Sequence, residues 1–365
     1  MNLLSYIIWN GSPDIFSIGP ITLRWYGLLF ALGFLLSQQI LYYIYKKEGK
    51  PEKDVDTLTI YMVVATIIGA RLGHVFFYEP ARYLANPIDI FKIWEGGLAS
   101  HGAAVGIFIA LWLYARKNKP GQSYLQVLDR IAILVALTGA LIRFGNFANS
   151  EIIGKQTHTN YGIVFAHNIT QLLERDPQIE KVSYVVVDSS RYDYVYRPIK
   201  ILVEFSRSMQ DEQQVHAFIN GRLYNQLLYT YAIREHLSID EIPDYGVAQL
   251  DDGRYAAVIR TYAVPRHPAQ LYEAGSCILL FIFLYWMWNR QKEKLPPGRI
   301  FGNFMIILWT LRFLYEYLKE VQVDAEVDFI NTYGINYGQL YSIPLVIFGI
   351  VVLVLSFRTN KSVQP

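Results

Sequence analysis

Charge is scarce in this 365-residue chain: Asp, Glu, Lys and Arg make up only 18% of it, against roughly 25% in soluble globular domains. That shortage argues against a purely cytosolic protein. Neither sign dominates, with 33 Lys+Arg against 31 Asp+Glu and a formal charge of +2, so no global field draws the chain to nucleic acid. Any anion site must be local. Cysteine is nearly absent too: Cys277 alone cannot close an intramolecular disulfide, and seven histidines without CxxC or HExxH spacing give no metal signature. The first twenty residues contain no Lys or Arg, unlike the basic start of a cleavable signal peptide, so the first apolar segment is expected to stay in the mature protein. No internal repeat is visible, and the inverted-repeat architecture of many transporters is therefore not suggested.

Apolar surface, by contrast, is abundant, at 53% hydrophobic and 15% aromatic residues. Seven windows are long and apolar enough to read as spans: Ile21 to Tyr45, Thr57 to Tyr78, Leu98 to Ala115, Leu125 to Ala148, Gln270 to Asn289, Ile300 to Leu318 and Tyr337 to Phe357. Lys46, Lys47, Lys50 and Lys53 follow the first, Arg116, Lys117 and Lys119 the third, Arg290, Lys292, Lys294 and Arg299 the fifth, and Arg358 and Lys361 the last. The alternate connections hold only Arg82, Lys92 and Lys319. Because cytoplasmic loops are enriched in Lys and Arg, the N-terminus is expected outside and the C-terminus inside.

The expected class is an all-α integral membrane protein of seven transmembrane helices, with a small extramembrane α+β cap between spans four and five. Residues 1–154 would hold spans one to four, 155–265 the cap, and 266–365 spans five to seven. Within the cap, Val182 to Val187 and Tyr192 to Tyr196 flank a turn at Asp188 to Arg191 and predict a hairpin. Helical patterns are expected from Ile199 onward, with a break at Gly221 and a capping-type start at Ser238 to Glu241.

An ionisable group within a span costs at least a few kcal/mol and needs a partner or a task. With alternating span direction, Arg24, Arg71, His74, His101, Arg143, Asn146, Asn149, Glu151, Arg266, His267, Glu273, Arg312 and Glu316 all fall in the outer half, and the inner halves are nearly free of charge. A conduit for a charged solute would need polar lining on both sides, so a site opening to the outer leaflet is favoured. Arg71, Arg143, Arg266 and Arg312 exceed Glu151, Glu273 and Glu316 by one, which suits a singly charged phosphodiester gripped by guanidinium forks, such as a phosphatidyl headgroup. For Arg312 and Glu316, at i and i+4, neutralising one another on a helix face is an equally good reading.

Five stretches carry a resemblance. Arg143-Phe-Gly-Asn-Phe-Ala-Asn-Ser-Glu151, Gly96-Gly-Leu-Ala-Ser-His101-Gly, Arg266-His-Pro-Ala-Gln-Leu-Tyr-Glu273, Arg24-Trp-Tyr26-Gly and Gly338-Gln-Leu-Tyr-Ser-Ile-Pro344 together resemble the phosphatidylglycerol:prolipoprotein diacylglyceryl transferases. The resemblance covers the spans and fades across His167 to Val264. It implies a seven-span body with an outward cap in the bacterial inner membrane, its active site toward the periplasm. It also implies transfer of the diacylglyceryl group of phosphatidylglycerol to the lipobox cysteine of a prolipoprotein, with release of glycerol phosphate and no cofactor. It assigns essential roles to His101, Arg143, Asn146, Glu151, Arg266 and Glu273, with Tyr26 near the site. The family has glycine where this chain has Ile142, Ser150 and Ala103, which bears on how closely backbone or ligand can approach there.

For attack of sulfur on a glycerol carbon, a thiol with a pKa near 8.5 needs a base or a positive field. His101 is the expected base, set against the reading of a buried, hydrogen-bonded structural histidine. Arg143 and Arg266 are expected to grip the phosphodiester and stabilise the departing phosphate. Asn146 and Asn149 would hold headgroup hydroxyls or bridge helices, and Glu151 and Glu273 would orient arginines. Arg71, Arg312 and Glu316 complete the expected substrate-binding set. Cys277, about a turn below Glu273, reads first as a small hydrophobe in an apolar helix, and His74 as an interhelical hydrogen-bonder. The competing function is a phospholipid or anion transporter, which would move lipid without changing it.

Overall fold

The computed structural model describes residues 6–19, 21–93, 96–157, 159, 161–187, 196–320 and 324–361. Three short strands, β1 (Ile7–Trp9), β2 (Asp14–Ile18) and β3 (Ile21–Arg24), precede α1 (Trp25–Lys47), α2 (Glu52–Phe77), α3 (Pro80–Ala85), α4 (Ser100–Ala115) and α5 (Tyr124–Ala148). Next come β4 (Ile163–Phe165), α6 (His167–Leu173), β5 (Ile179–Val186), β6 (Arg197–Phe205), α7 (Glu212–Phe218), α8 (Tyr224–Tyr229), α9 (Tyr231–Arg234), β7 (Leu237–Ser238), β8 (Asp244–Gln249) and β9 (Tyr255–Ala263). The chain closes with α10 (Ala269–Gln291), α11 (Arg299–Tyr315), α12 (Asp324–Tyr333) and α13 (Tyr337–Lys361).

Each apolar window of the sequence contains a helix, although the first opens with β3 over Ile21–Arg24. Five of these, Trp25–Lys47, Glu52–Phe77, Tyr124–Ala148, Ala269–Lys294 and Tyr337–Arg358, are long and apolar enough to cross a bilayer. α4 and α11 have 16 and 17 residues, about 24 to 26 Å at 1.5 Å per residue, short of a hydrocarbon core of roughly 30 Å. The all-α description does not hold, because a five-stranded sheet is present. In it β6 lies between β5 and β9, and β9 also pairs β7 and β8, all antiparallel.

The chain forms two compact units: Met1–Leu29, Arg143–Glu273 and Tyr315–Tyr333 make the first, and Phe30–Ile142, Ala274–Leu314 and Gly334–Pro365 the second. The first is built on the sheet, with Val182, Ile199, Ile201, Val203, Phe205, Leu223, Leu227 and Ile259 in its core. β5 and β6 form a hairpin, the second described strand running from Arg197, and Asp188 to Val195, which hold the expected turn and most of the expected second strand, lie outside the described residues. Ile199 onward is strand, not helix. The reason is visible in β6, whose residues are buried at every second position, the period of a pleated strand and not that of a helix. Helix resumes only at Glu212, where the Asp211 carboxylate caps the turn by accepting from the Gln214 amide at 2.8 Å. At Gly221 the expected break does not occur: a π-helical stretch, Ile219–Leu223, joins α7 to α8. Leu237–Ser238 pairs with β9, so Ser238 ends a strand and caps no helix.

The second unit packs α2 against α4 through small residues. A Cβ on Gly102 would stand 2.3 Å from the Gly69 carbonyl and 2.6 Å from the Gly73 Cα, and one on Gly106 would stand 2.6 Å from the Ala65 carbonyl. Ala65, Gly69 and Gly73 thus present one small-residue stripe to Gly102 and Gly106, the close approach that membrane helices use where lipid removes the hydrophobic drive. At the other end of this unit Glu48 is buried among donors: Arg130 Nε at 3.0 Å and Nη2 at 2.6 Å, Trp288 Nε1 at 2.7 Å and Lys50 Nζ at 2.6 Å. Asp129 accepts from the Gly298 and Phe301 amides at 2.8 and 2.7 Å and so caps the start of α11.

Because the α2–α4 contact is backbone against backbone, Gly102→Val is expected to lower the thermal midpoint of the detergent-solubilised protein by several degrees. Gly275→Ala, whose added Cβ meets nothing within 4 Å, should leave it unchanged. Equal behaviour of the two variants would contradict the packing described.

Candidate active site

In the first unit the end of α5 is shaped by a Schellman turn. The Glu151 amide donates to the Asn146 carbonyl at 2.9 Å and the Ser150 amide to Phe147 at 3.0 Å, the paired 6→1 and 5→2 bonds of that motif. The residue between must be left-handed, and Ser150 has φ +54°. Glycine takes that conformation without the cost of about 1 kcal/mol or more that a Cβ imposes. The turn delivers the Glu151 carboxylate to Asn146 Nδ2 at 3.3 Å and Asn149 Nδ2 at 3.0 Å. Gln270, on α10, donates to the Glu151 carbonyl.

Arg143 and Glu273 form the centre of this cluster. Arg143 Nε lies 2.5 Å from Glu273 Oε2, and Arg143 Nη1 donates to Asn146 Oδ1 at 3.2 Å. Nη2 has no hydrogen-bond acceptor among the described residues. Glu273 Oε1 lies 2.5 Å from Lys319 Nζ, which is also 3.3 Å from Glu316 Oε1. Tyr26 packs on the same stretch of α5: a Cβ on Gly145 would approach Tyr26 Cα to 3.0 Å. Arg266 is buried nearby in sequence space, its backbone bridged to Ile163 in both directions at 2.9 Å. Its guanidinium donates to the Glu235 carbonyl at 2.9 Å, the Gly154 carbonyl at 3.3 Å and Glu320 Oε1 at 2.8 Å.

The structure therefore brings together Tyr26, Arg143, Asn146, Asn149, Glu151, Glu273 and Glu316 in one unit, and holds Arg266 in that unit by backbone carbonyls and Glu320. Sequence reasoning missed Lys319, Glu320, Gln270 and Gly154. The count of arginines against glutamates left Lys319 and Glu320 in a loop, yet with them the unit's cluster has three cations, Arg143, Arg266 and Lys319, and four carboxylates, Glu151, Glu273, Glu316 and Glu320. Gly154 had a readable signal only in being glycine; a Cβ there would meet the His267 carbonyl at 2.5 Å and the Leu318 carbonyl at 2.9 Å.

Arg71, His101 and Arg312 belong to the second unit. Arg71 is buried, and its guanidinium donates to the carbonyls of Ile90 at 2.7 Å, Gly96 at 2.6 Å, Lys92 at 3.2 Å and Gly97 at 3.3 Å, and to that of Asp89. It lies over the Tyr83 ring at 4.9 Å. Such a guanidinium is occupied by the connection between α3 and α4, which it organises. His101 stands in the first turn of α4, exposed, with the rings of Phe77 and Tyr78 at 5.0 and 5.8 Å. It makes no hydrogen bond among the described residues, so both ring nitrogens are open to an incoming group. Arg312 lies 5.7 Å over the Trp309 ring. Cys277 is buried, with its sulfur 3.7 Å from where a Cβ on Gly139 would stand, a packing role.

Residues 13–355 match the family model described as prolipoprotein diacylglyceryl transferase. The chain belongs to this family. It is 34% identical to the phosphatidylglycerol–prolipoprotein diacylglyceryl transferase of Tolumonas auensis over 96% of its own length and 98% of that protein. With the enzyme of the same name from Chloroherpeton thalassium it shares 34% identity over 100% of the chain and 98% of the relative, and with that of Bacteroides fragilis 31% over 100% and 99%. Family membership and the apolar helices together make this a multi-pass membrane protein and a transferase.

Two measurements follow from this geometry. Ser150→Gly relieves the left-handed strain and should stabilise the protein by about 1 kcal/mol, read as a higher thermal midpoint; a lower one would refute the strain. His236, in the first unit and outside the apolar helices, has a buried Nδ1 without a hydrogen-bond partner among the described residues. Burial, with Arg266 adding a smaller repulsion, pushes its pKa from 6.5 down to about 4. The unfolded chain then binds the extra proton between those values, so the stability this neutral ring contributes is present above pH 6.5 and lost as the pH falls toward 4. Thermal midpoints should fall on acidification from pH 6.5, and His236→Phe should flatten that slope; an unchanged slope assigns it to another group.

Proposed function

We propose that this chain transfers the diacylglyceryl group of phosphatidylglycerol to the thiol of a prolipoprotein's lipobox cysteine. The thiol sulfur forms a bond to the glyceryl carbon as the carbon–oxygen bond to phosphate breaks, and glycerol phosphate leaves with the electron pair. The observation that carries the reading is Arg143. Glu273 and Asn146 fix the guanidinium while its Nη2 edge stays open, and a phosphate oxygen is the natural acceptor for that edge. The same cation stabilises the charge that grows on the leaving phosphate.

The remaining roles follow the chemistry of each side chain. His101, exposed and without a hydrogen bond, takes the thiol proton. Arg266, aimed by two backbone carbonyls, is the second phosphate ligand, and Glu320 is the anion it holds when no substrate is bound. Tyr26, Asn146, Asn149 and Glu151 line and orient the headgroup region, Glu273 orients Arg143, and Arg312 and Glu316 contribute at its edge. Arg71 serves by holding the connection that leads into His101. The membrane body has seven spans, α4 and α11 being the short ones, with the N-terminus and the 155–265 cap on the periplasmic side of the bacterial inner membrane. Its partners are phosphatidylglycerol, the lipobox segment and the surrounding bilayer.

Purified protein with phosphatidylglycerol vesicles and a lipobox peptide should give a thioether-linked diacylglycerol peptide and glycerol phosphate by mass spectrometry. Arg143→Gln should reduce kcat/KM by about 10² or more, and His101→Gln should abolish transfer while phosphatidylglycerol still binds. Lipid redistribution between leaflets with no thioether product would overturn the assignment.

A further inference from the structure

We propose that Lys319 is a positioning residue that keeps Glu273 from closing both oxygens over Arg143, and so holds one edge of the guanidinium open for the phosphodiester. The inference rests on the function proposed above and adds a residue to it. A carboxylate beside an arginine is drawn to the two-point fork, which is stronger and more directional than a single contact. Here the nearest cations of its two oxygens are different residues. Its Oε2 meets Arg143 Nε at 2.5 Å, while its Oε1 meets Lys319 Nζ at 2.5 Å.

Lys319 is built into place. Its side chain is 8% exposed, so its charge acts with little screening by water. The backbone at this point is bridged to Gly154, and the Lys155 amide donates to the Leu318 carbonyl at 2.7 Å. The close approach of Gly154 to the Leu318 carbonyl sets that register. A compact ammonium with three donors can serve two carboxylates at once, and Glu316 Oε1 is the second, at 3.3 Å. Removing the ammonium takes away the cation nearest Glu273 Oε1 and leaves Arg143, 2.5 Å from Oε2, beside a buried carboxylate. Charge pairing then drives its second oxygen to Nη2, the edge a phosphate needs.

The test uses the full-length protein in the vesicle assay, with phosphatidylglycerol as the varied substrate. Lys319→Met should raise KM for phosphatidylglycerol by about tenfold or more, the value of one charge-assisted hydrogen bond, with kcat much less affected. Lys319→Arg, which keeps a cation beside Glu273 Oε1, should stay within about threefold of wild type in KM. Lys319→Met combined with Glu273→Gln removes the carboxylate that competes for Nη2, and should bring KM back toward wild type at a lower kcat. A Lys319→Met variant with unchanged KM, or with kcat reduced and KM untouched, overturns the proposal. So does a double variant whose KM stays at the single-variant value, or a natively melting Lys319→Arg with a tenfold higher KM. Wild type that makes no thioether product overturns instead the function on which the proposal rests, so the two failures are distinguishable.

Discussion

An ion taken out of water must find a counter-charge or a set of dipoles, and each unit of this protein is arranged around one such obligation. In the first unit the obligation is Glu273, whose two oxygens are divided between Arg143 and Lys319. That division fixes the guanidinium through one edge and leaves the other unclaimed. In the second unit it is Glu48, which collects Arg130, Lys50 and Trp288. Buried ion pairs of the second kind hold helices in register at some cost in desolvation. The first kind retains binding capacity, which is what separates a site from a clamp.

Arg71 illustrates a third outcome. Its guanidinium donates to five backbone carbonyls drawn from the segment between Asp89 and Gly97 and lies over the Tyr83 ring. A guanidinium with five N–H groups in a plane can gather several carbonyls of one connecting segment at once. The connection entering α4 is held in this way, and His101 sits in the first turn that follows. Small residues do the complementary work, since Gly102 permits the backbone of α4 to rest on Gly69 and Gly73. At Ser150 the chain keeps a left-handed turn with a residue poorly suited to it, because the turn places Glu151 against Asn146 and Asn149.

Much of this was legible in the residues. Every apolar window contains a helix, since burial of backbone polar groups in an apolar run leaves few alternatives. The stretches Arg143 to Glu151 and Arg266 to Glu273 lie in one unit because both carry polar groups at helix ends that need one another. The β6 segment was misread because Ile199 to Val203 is apolar enough for either period, and only its pairing with β5 and β9 decides between them. Lys319 was invisible for another reason. A lysine followed by Glu320, Asp324, Glu326 and Asp328 in a connection reads as a solvated loop, and nothing in its spacing reveals that the bridge to Gly154 turns it inward.

The amino-acid sequence by itself determined where the apolar helices run, which side of the bilayer the basic connections favour, and which polar residues are too costly to be there without purpose. These are consequences of composition and period, properties of short segments. Only the tertiary structure decided how the charges divide: Arg71 to backbone carbonyls, Arg266 to two carbonyls and Glu320, Arg143 to one oxygen of Glu273 with Lys319 on the other. Pairing depends on distances between residues far apart in the chain, and a guanidinium's role follows from which of its edges remain unspent.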